Sequence, residues 1–541
     1  MIAEQFEFST FENQKISKIL EEYPFIKNDS DKHEMHSCEG DLTPIQKFYD
    51  GSKILITGST GFVGKILLEK LLRSCPTVTK IYLLVRSKKG KSMEERIDEM
   101  FDDIIFQRMK LECPKFREKI VGVHGDLDLP ELGLSIQDRR LLINEVSIIF
   151  HVAAIVHFDE KLKTTVVMNT RAVRDLLNMS REMPNLVCCM HTSTMYSNCP
   201  QTIIEEKVYP PAFDGHKLIR MIECVPEKIL AEITPKLIES YPNTYTFTKQ
   251  VAEDLVRREE ENLPVAIFRP SIVVSTYKEP FPGWINNMYG PSGICTGTAV
   301  GLLRTLHCDA NSRANLVPVD MCVNILIAAA WEVSSIHKKA IKEGIPYEIP
   351  VYNYESYSVN PITWNRFMAI NKKQGHIYPS IKLIWYYSFG LYKSYPVYVF
   401  VTFILHTIPG YLTDLVLFCM GRKPRMVATY KKINKFCQVM SYFITREWKM
   451  ESNRVQSLVK HMSDRDQKIF FCDLKKLDWV EYFDYYMLGV RIFLLKDPLD
   501  TLAAARTNAI RFYYLHQFVK IMSIFLILLF LYWLLLRFVS L

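Results

Sequence analysis

The sequence lacks the cysteine pattern of a disulfide-bonded or zinc-bound fold. Its 13 cysteines are scattered from Cys38 to Cys472, their number is odd, and no Cys-x-x-Cys pair occurs. Small secreted domains and structural zinc sites both depend on regularly spaced cysteines. The pattern therefore argues against a disulfide framework, predicts no metal site, and suits a reducing compartment such as the cytosol.

A strong excess of one charge is also missing. There are 67 Lys and Arg against 59 Asp and Glu, which gives a formal net charge of +8 over 541 residues. This mild excess argues against a nucleic-acid partner. The acidic segment 1–47 has no apolar core run, so it is not a secretory signal, and we predict a flexible N-terminal extension.

A long apolar run does occur at the carboxyl end. Residues 521–536 are interrupted by a single serine, and with its flanks the segment 518–541 is long enough to cross a bilayer core of about 30 Å. We predict a single-pass tail anchor with the catalytic part facing the cytosol. The membrane would be endoplasmic reticulum or peroxisome, and a buried core helix is the alternative.

A second apolar region, 395–420, carries Pro409, Gly410 and Asp414 near its centre. A clean membrane span would not place these residues there. We expect two helices that meet at Pro409–Gly410 and either pack on the core or dip into the membrane interface. The basic run 422–425 that follows is compatible with anionic headgroups and equally with water.

A glycine-rich turn lies between a predicted strand, 53–57, and a predicted helix that runs to Arg73. Glycines at this spacing allow a tight turn and close approach of the backbone to a pyrophosphate at the helix N-terminus. The residues that we assign to cofactor binding here are Thr57, Gly58, Ser59, Thr60, Gly61, Phe62, Val63 and Gly64. The flanking strand and helix make this a Rossmann-type dinucleotide site.

The next predicted strand, 80–85, ends in Arg86. An acidic residue there would bind the ribose 2′-hydroxyl of NAD, whereas an arginine can pair with a 2′-phosphate. Lys88 and Lys89 add positive charge. We therefore predict NADPH as the cofactor, and a solvated basic loop is the alternative.

Further strand–helix units predict a doubly wound, Rossmann-type parallel sheet of the α/β class. At the strand ends, Asp126 and Leu127 are placed for the adenine, and Ala153 lets backbone lie against the cofactor. We expect His151 and His191 to be hydrogen-bonded core residues.

The candidate catalytic pair is Tyr245 and Lys249, which lie four residues apart on one helix face. A phenol is a poor proton donor at pH 7, and a nearby ammonium would lower its pKa. Lys249 would also hold the nicotinamide ribose. A hydroxyl from Thr194, or alternatively Ser193, would polarise the substrate carbonyl.

Together these segments resemble the extended short-chain dehydrogenase/reductases, and more closely the fatty acyl-CoA reductases. The matching segments include TGSTGFVGKILLEKLLRSCP, HTSTMYSN, YPNTYTFTKQVAE, KEPFPGWINN and KIFFCDLKKLDWVEYFDYYMLGVRIFLLKD. The resemblance covers about 48–511 and so includes a smaller, mainly helical C-terminal domain. It implies that a long-chain fatty acyl-CoA is reduced to a primary alcohol by two NADPH, through an aldehyde, with release of CoA.

By this resemblance, the family's glycine-motif, adenine-site and Tyr/Lys roles fall on Gly58, Gly61, Gly64, Asp126, Tyr245 and Lys249. Met195 departs from the alanine common in the family, and we expect it to narrow the pocket or alter substrate choice. The predicted organisation follows in chain order. It is extension 1–47, NADP-binding catalytic domain 48–350, linker 351–393, C-terminal reductase-type domain 394–511 and transmembrane tail 518–541.

Two other functions are compatible with parts of this pattern. A sterol or sugar-nucleotide dehydrogenase of the same superfamily would act on an alcohol and prefer NAD, against which Arg86 argues. A membrane-tethered, catalytically silent NADP-binding scaffold would have no need for Tyr245, Lys249 and Thr194 together. The oligomeric state and the preferred acyl length are not readable from the sequence.

Overall fold

The computed structural model describes residues 41–88, 90–259 and 263–539. Most of the predicted extension, Lys89 and the last two residues of the predicted tail lie outside these ranges. The described strands are β1 Lys53–Thr57, β2 Lys80–Val85, β3 Ile120–His124, β4 Ile148–His151, β5 Cys188–Thr192, β6 Ile203–Ile204, β7 Val265–Pro270, β8 Ile272–Val274, β9 Thr305–His307, β10 Leu316–Pro318, β11 Val351–Tyr354, β12 Gly390–Tyr392 and β13 Lys449–Met450.

The described α-helices are α1 Pro44–Tyr49, α2 Phe62–Ser74, α3 Met93–Phe101, α4 Gln107–Glu112, α5 Ile136–Glu145, α6 Leu162–Val166, α7 Ala172–Arg181, α8 Gly215–Cys224, α9 Glu227–Leu237, α10 Thr244–Arg258, α11 Pro291–Ala299, α12 Val319–Glu343, α13 Trp364–Ile377, α14 Tyr395–Thr402, α15 Ile408–Cys419, α16 Met426–Ile444, α17 Asn453–His461, α18 Asp464–Ile469, α19 Trp479–Gly489 and α20 Leu502–Val539.

Seven of these strands form one parallel sheet, in the order β11-β7-β5-β4-β1-β2-β3. The strand order reverses at β1, which pairs with β2 on one side and β4 on the other. Ligands of open α/β sheets bind at such a reversal, outside the carboxyl ends of the strands. The predicted doubly wound parallel sheet is confirmed.

Helices cover both faces of the sheet, which explains why its strands are almost continuously apolar. Ile54 and Ile56 of β1 pack with residues of α2 and α12, whereas Leu55 packs with residues of α7 and α10. Alternate residues of a strand point to opposite faces of the sheet, so Ile54 and Ile56 face one helix layer and Leu55 faces the other. The carboxyl ends of β1, β4 and β5 therefore lie side by side, below α10.

A packed helix, α1, begins before the predicted domain boundary at residue 48. Thr43 and Gln46 form a reciprocal capping box at the start of α1. The helix buries Ile45 and Tyr49, and the Tyr49 hydroxyl donates to the carbonyl oxygen of Ile327 at 2.9 Å. These contacts tie α1 to α12, because burial of an aromatic ring is favourable once its hydroxyl has a partner.

The predicted linker 351–393 differs most from the structure. Its first residues form β11, which pairs in parallel with β7 and closes one edge of the main sheet. Helix α13 follows and packs against α19 of the C-terminal domain through Phe367 and Phe483. The segment is therefore not a linker at either of these two places, because β11 belongs to the main sheet and α13 to the packing between the domains.

The C-terminal domain is mainly helical, as expected, and is joined to the sheet domain by hydrogen bonds and a short strand pair. β13 pairs with β6, and the Tyr482 hydroxyl of α19 donates to the carbonyl oxygen of Ser275 at 3.1 Å. Arg73 of α2 pairs with Glu279 at 2.9 Å, which fixes the loop that precedes α11. Lys70 of α2 donates to the carbonyl oxygen of Ile469 at 2.5 Å, so the C-terminal domain is packed directly against the helix that follows the dinucleotide turn.

Three helical segments in the described ranges are long and apolar enough to cross a membrane, and they differ sharply in burial. In α12, 78% of the apolar window is buried, so this helix is core. In the segment Tyr395–Cys419 the buried share is 17%, and in α20 it is zero.

The segment Tyr395–Cys419 is one continuous helical run. Its irregular turn does not lie at the predicted junction, Pro409–Gly410. A π-helical turn, Phe403–Thr407, joins α14 to α15, and Pro409 lies in the first turn of α15. Proline has no N–H to donate to the carbonyl four residues earlier, and a wider turn accommodates this loss. The expected meeting of two helices at Pro409–Gly410 is therefore replaced by one helix with a π turn.

Candidate active site

The predicted dinucleotide turn connects the end of β1 to α2. Gly58 has a φ of +75°, and a Cβ atom there would lie 2.7 Å from the Cα of Ala153. A Cβ on Gly64 would lie 2.1 Å from the carbonyl oxygen of Gly58. Both positions therefore require glycine, and the turn keeps backbone exposed where a pyrophosphate would lie.

The other residues of the turn have divided roles. No described side chain caps the N-terminus of α2 at Gly61, and the buried Ser59 Oγ lacks a hydrogen-bond partner among the described residues. The Phe62 ring stacks on Trp284 at 5.4 Å, so this side chain packs on the neighbouring loop. Thr57 Oγ1 bonds with His151 Nδ1 at 2.8 Å. Because no described side chain caps it, the N-terminus of α2 is suited to an anionic ligand.

Arg86 lies at the end of β2 between two carboxylates. Its Nη1 is 3.2 Å from Asp126 Oδ1 and 2.6 Å from Asp128 Oδ2. Arg96 of α3 donates to the carbonyl oxygen of Arg86. Burial, and then the charge of Arg86, lower the pKa of Arg96. Arg96 was missed from the sequence, although a basic residue in the helix after β2 was visible.

The predicted adenine-site residues lie beside this pair. Asp126 Oδ1 accepts from the Asp128 N–H at 3.0 Å, so its carboxylate is shared between backbone and Arg86. The Leu127 side chain is buried in the layer beneath β3, and Ala153 lies against Gly58. These residues line the side of the turn where the adenosine half of a dinucleotide would extend.

Tyr245 and Thr194 meet at the carboxyl end of β5. Both side chains are buried, and Asn243 caps α10 so that Tyr245 falls in its first turn. Burial raises the pKa of Tyr245, and a hydrogen bond with the Thr194 hydroxyl opposes this. The phenol is therefore neutral at pH 7 and can donate its proton.

Lys249 interacts with the strand rather than with the phenol. Its Nζ donates to the carbonyl oxygen of Thr192 at 2.7 Å. Burial lowers the pKa of Lys249 to about 8, which Glu253 opposes. The prediction that the ammonium lowers the pKa of Tyr245 is therefore wrong for this arrangement, because burial dominates at the phenol.

Ser193 is turned away from Thr194 into a buried polar network. Its hydroxyl donates to Glu253 Oε1, and Arg269 Nη2 pairs with Glu253 Oε2 at 2.6 Å. Burial alone would raise the pKa of Glu253, but Arg269 and the hydroxyls of Ser193 and Ser197 hold it below its ordinary value. Glu253 was missed, although it continues the helix face of Tyr245 and Lys249 at the same four-residue spacing.

The two histidines expected in the core lie next to Lys249. They are neighbours in the sheet register and stack with ring centroids 5.4 Å apart. His151 bonds with Thr57, but neither nitrogen of His191 has a partner in the part of the chain that the structure describes. Burial and the charge of Lys249 lower both pKa values, so both rings are neutral. The expectation of a satisfied histidine is wrong for His191.

The C-terminal domain supplies an aromatic wall beside Tyr245. Phe158 lies 5.7 Å from the Tyr245 ring and 5.7 Å from Phe443 of α16. Tyr196 contacts Phe443 and Trp448, at 5.3 and 5.6 Å. Such a surface binds apolar substrate groups, because aromatic rings bury large areas at low entropic cost.

Met195 belongs to the same wall. Its side chain is fully buried in a cluster with Phe443 and Trp448. It therefore fills the boundary between the two domains. Its expected effect on the pocket would be indirect, through the position of α16.

Comparison with known proteins agrees with this arrangement. Residues 56–326 match the NAD-binding family model described as "Male sterility protein", and residues 405–497 match the Sterile model of the same description. "Fatty acyl-CoA reductase wat" of Drosophila melanogaster is 39% identical over 481 residues, which are 89% of this chain and 91% of that protein. "Fatty acyl-CoA reductase 1" of Homo sapiens is 39% identical over 475 residues, 86% of this chain and 89% of the human one.

Solved structures support the fold. The reductase domain of a non-ribosomal peptide synthetase from Mycobacterium tuberculosis superposes with a TM-score of 0.54 at 16% identity, covering 84% of this chain and 94% of that one. The terminal R domain of the myxalamid pathway gives a TM-score of 0.52 at 18% identity, covering 82% and 91%. The chain is therefore an oxidoreductase that takes a nicotinamide cofactor, and it belongs to the fatty acyl-CoA reductase family.

Proposed function

We propose that this protein uses NADPH to reduce a long-chain fatty acyl-CoA to a primary fatty alcohol, through an aldehyde and with release of CoA. The observation that carries the proposal is the burial of Tyr245 beside Thr194 at the carboxyl end of β5, next to an aromatic wall to which both domains contribute. Two hydroxyls can polarise a carbonyl, and an apolar wall suits an acyl chain, which gains about 0.8 kcal/mol per buried CH₂.

We assign the residues of the site to the parts of the cofactor as follows. The turn 57–64 would take the pyrophosphate, and Arg86 the 2′-phosphate. Asp126, Leu127 and Ala153 would border the adenosine half. Lys249 would hold the nicotinamide ribose, since its ammonium already lies at the end of β5. When bound, NADPH would supply a hydride for each of two reductions.

The protein's own groups act on the carbonyl oxygen. Thr194 and Tyr245 donate hydrogen bonds to the thioester oxygen and stabilise the oxyanion that develops there. The first tetrahedral oxyanion collapses with loss of the CoA thiolate and leaves the aldehyde. In the second reduction, Tyr245 donates its proton to the alkoxide oxygen, and its raised pKa keeps the phenol protonated for this step. The Ser193 hydroxyl donates its hydrogen bond to Glu253, so we assign the catalytic hydroxyl to Thr194.

Replacing Arg86 by alanine should weaken the binding of NADPH far more than the binding of NADH. The change removes one guanidinium and leaves Asp126 and Asp128 facing the 2′-phosphate. A charged hydrogen bond contributes about 1.5–3 kcal/mol, so we expect at least a tenfold rise in the Kd for NADPH. Fluorescence titration with both cofactors measures it. Arg117→Ala, which removes an exposed pair with Asp98, is the control. Equal loss of both cofactors would show that Arg86 does not contact the phosphate.

The alkaline limb of the pH–rate profile should be governed by Lys249. Its pKa of about 8 means that the ammonium loses its proton as the pH rises through this value. We expect kcat/KM to fall above about pH 8, since this parameter reports the groups of the free enzyme. In Lys249→Arg the positive charge persists at all these pH values. The pH profile of the residual activity should therefore not show the fall above about pH 8. A limb that stays at the same pH in Lys249→Arg would assign it to another group.

We further propose that α20 is a tail anchor in the membrane of the endoplasmic reticulum or the peroxisome. The helix has 38 residues, more than the roughly 20 needed to span, and its apolar side chains are exposed. Lys520 and Arg537 flank the apolar run and can reach the headgroups. The catalytic domain, which precedes the helix, would then face the cytosol, where acyl-CoA and NADPH are available.

Lipid extracts test the proposed activity. Cells that express the chain should accumulate long-chain primary alcohols by gas chromatography and mass spectrometry, and cells that express Tyr245→Phe should not. Accumulation of aldehyde without alcohol would restrict the reaction to one reduction. An unchanged lipid profile, with NAD-dependent oxidation of a sterol or sugar nucleotide by the purified protein, would replace the proposal by the dehydrogenase alternative. Cofactor binding without any turnover would favour the silent scaffold.

A further inference from the structure

The exposed apolar helix, residues 395–419, is a large surface that the reduction chemistry does not use. It comprises α14, the π turn and α15. Helix α12 is just as apolar on average but mostly buried, so composition alone does not explain the exposure. The side chains that face outward are Val397, Val399, Phe400, Phe403, Ile404, Tyr411, Leu412, Leu415, Val416 and Phe418. An apolar patch of this size marks an interaction surface.

Two polar residues of this helix, His406 and Asp414, are used in contacts with the protein, whereas Thr413 is exposed. His406 accepts a hydrogen bond from the Arg304 N–H at 2.9 Å and stacks on Tyr430 of α16 at 4.9 Å. The Asp414 carboxylate accepts from three backbone N–H groups, those of residues 425, 426 and 427, at 2.7–2.9 Å. Asp414 therefore caps α16, and the exposed side chains of the helix are mostly apolar.

The border of the exposed apolar helix is basic. From residue 395 to 446 the sequence has one acidic residue, Asp414, which is used in the cap just described. The basic residues in the same stretch are Arg422, Lys423, Arg425, Lys431, Lys432, Lys435 and Arg446. Those from 422 to 432 are exposed next to the end of α15. Anionic lipid headgroups attract such clusters by about 1 kcal/mol per cation.

Two residues, Arg304 and Trp385, link the exposed apolar helix to the proposed tail anchor. Arg304 Nη1 donates to the carbonyl oxygen of Leu405 at 3.4 Å, the carbonyl that Pro409 leaves without a donor. The Arg304 guanidinium also lies 5.2 Å from the Trp385 ring. Trp385 Nε1 donates to His516 Nδ1 of α20 at 3.1 Å. The part of α20 that precedes the apolar run 521–536 therefore lies beside the middle of the exposed apolar helix.

We propose that the exposed apolar helix is a second membrane contact, which lies in the headgroup region of an anionic bilayer beside the tail anchor. A bilayer is the occupant that fits an apolar face with a basic border, next to a helix able to enter the same membrane. The helix lies along the surface and does not cross it, because its inner side is bound to α16 and Arg304. This contact goes beyond the proposed reduction and does not depend on it.

Photolabelling of the full chain tests the contact. The protein is placed in phosphatidylcholine vesicles with 20% phosphatidylserine and a trace of phospholipid that carries a diazirine on its acyl chain, and adducts are located by mass spectrometry. We expect lipid adducts within 395–419 as well as within 502–539. Leu111 and Ile136 are 82% and 72% exposed on the sheet domain and should carry none.

Each other outcome decides against the proposal. Adducts in 502–539 alone would leave the anchor and overturn the second contact. In a parallel sample whose leucines are replaced by photo-leucine, cross-links between two copies at 395–419, without lipid adducts, would identify a protein partner instead. The triple variant R422E/K423E/R425E should lower the adduct yield at 395–419 several-fold and leave that of 502–539 unchanged. An unchanged yield at 395–419 would overturn the role of the basic border.

Discussion

Replacing Tyr245 by phenylalanine should lower kcat by about 10³-fold or more while NADPH binds almost as before. The change removes one oxygen atom, the donor of the proton to the alkoxide and one of two hydrogen bonds to the developing oxyanion. The ring remains packed against Phe158, so the fold is not expected to change. Steady-state kinetics with palmitoyl-CoA and a fluorescence titration of NADPH measure the two effects separately.

Tyr357→Phe is the matched control, because it also removes one tyrosine hydroxyl. Tyr357 contacts Arg313 through its ring, at 4.2 Å, and Tyr357→Phe keeps that contact. Its activity should equal that of the unmodified chain. If Tyr245→Phe retained even a tenth of the original kcat, Tyr245 would not be the proton donor.

Replacing Glu253 by glutamine should destabilise the protein more than any surface change. Glu253 and Arg269 form an ion pair whose side chains are 1% and 0% exposed. Removing one partner of a buried pair costs about 3–5 kcal/mol of the free energy of unfolding, because the other charge stays buried without compensation. Ser193 would also lose its charged acceptor, which loosens the segment that carries Thr194. Urea unfolding of the full chain in detergent, followed by tryptophan fluorescence, gives the shift in midpoint.

An exposed pair provides the comparison for Glu253. Glu182 pairs with Arg139 at 2.6 Å, and its side chain is 53% exposed. Glu182→Gln should cost less than about 1 kcal/mol, since solvent screens such pairs. Similar unfolding midpoints for the two variants would mean that the buried pair contributes little.

The parts of the site that lie within one strand–turn–helix unit were predictable from the sequence. The turn 57–64 carries its own signal, because two glycines are required by local backbone contacts. Tyr245 and Lys249 were found by their spacing and by their place after β5. In both cases the sequence neighbours are also neighbours in space.

Contacts between distant segments could not be predicted in the same way. The pairing of Glu253 with Arg269 joins α10 to β7, and no local pattern specifies it. Similarly, β11 becomes a strand because it adds to the edge of β7. The pKa of Tyr245 depends on burial by several segments, so a neighbouring lysine four residues away was a poor guide to it.

The ratio of NADPH oxidised to CoA released tests the central claim most directly. Purified protein is given palmitoyl-CoA, NADPH is followed by absorbance, and free thiol is titrated in the same sample. Two successive reductions predict two NADPH for each CoA, with hexadecanol as the product. One NADPH for each CoA, with free hexadecanal, would contradict the two-step reduction.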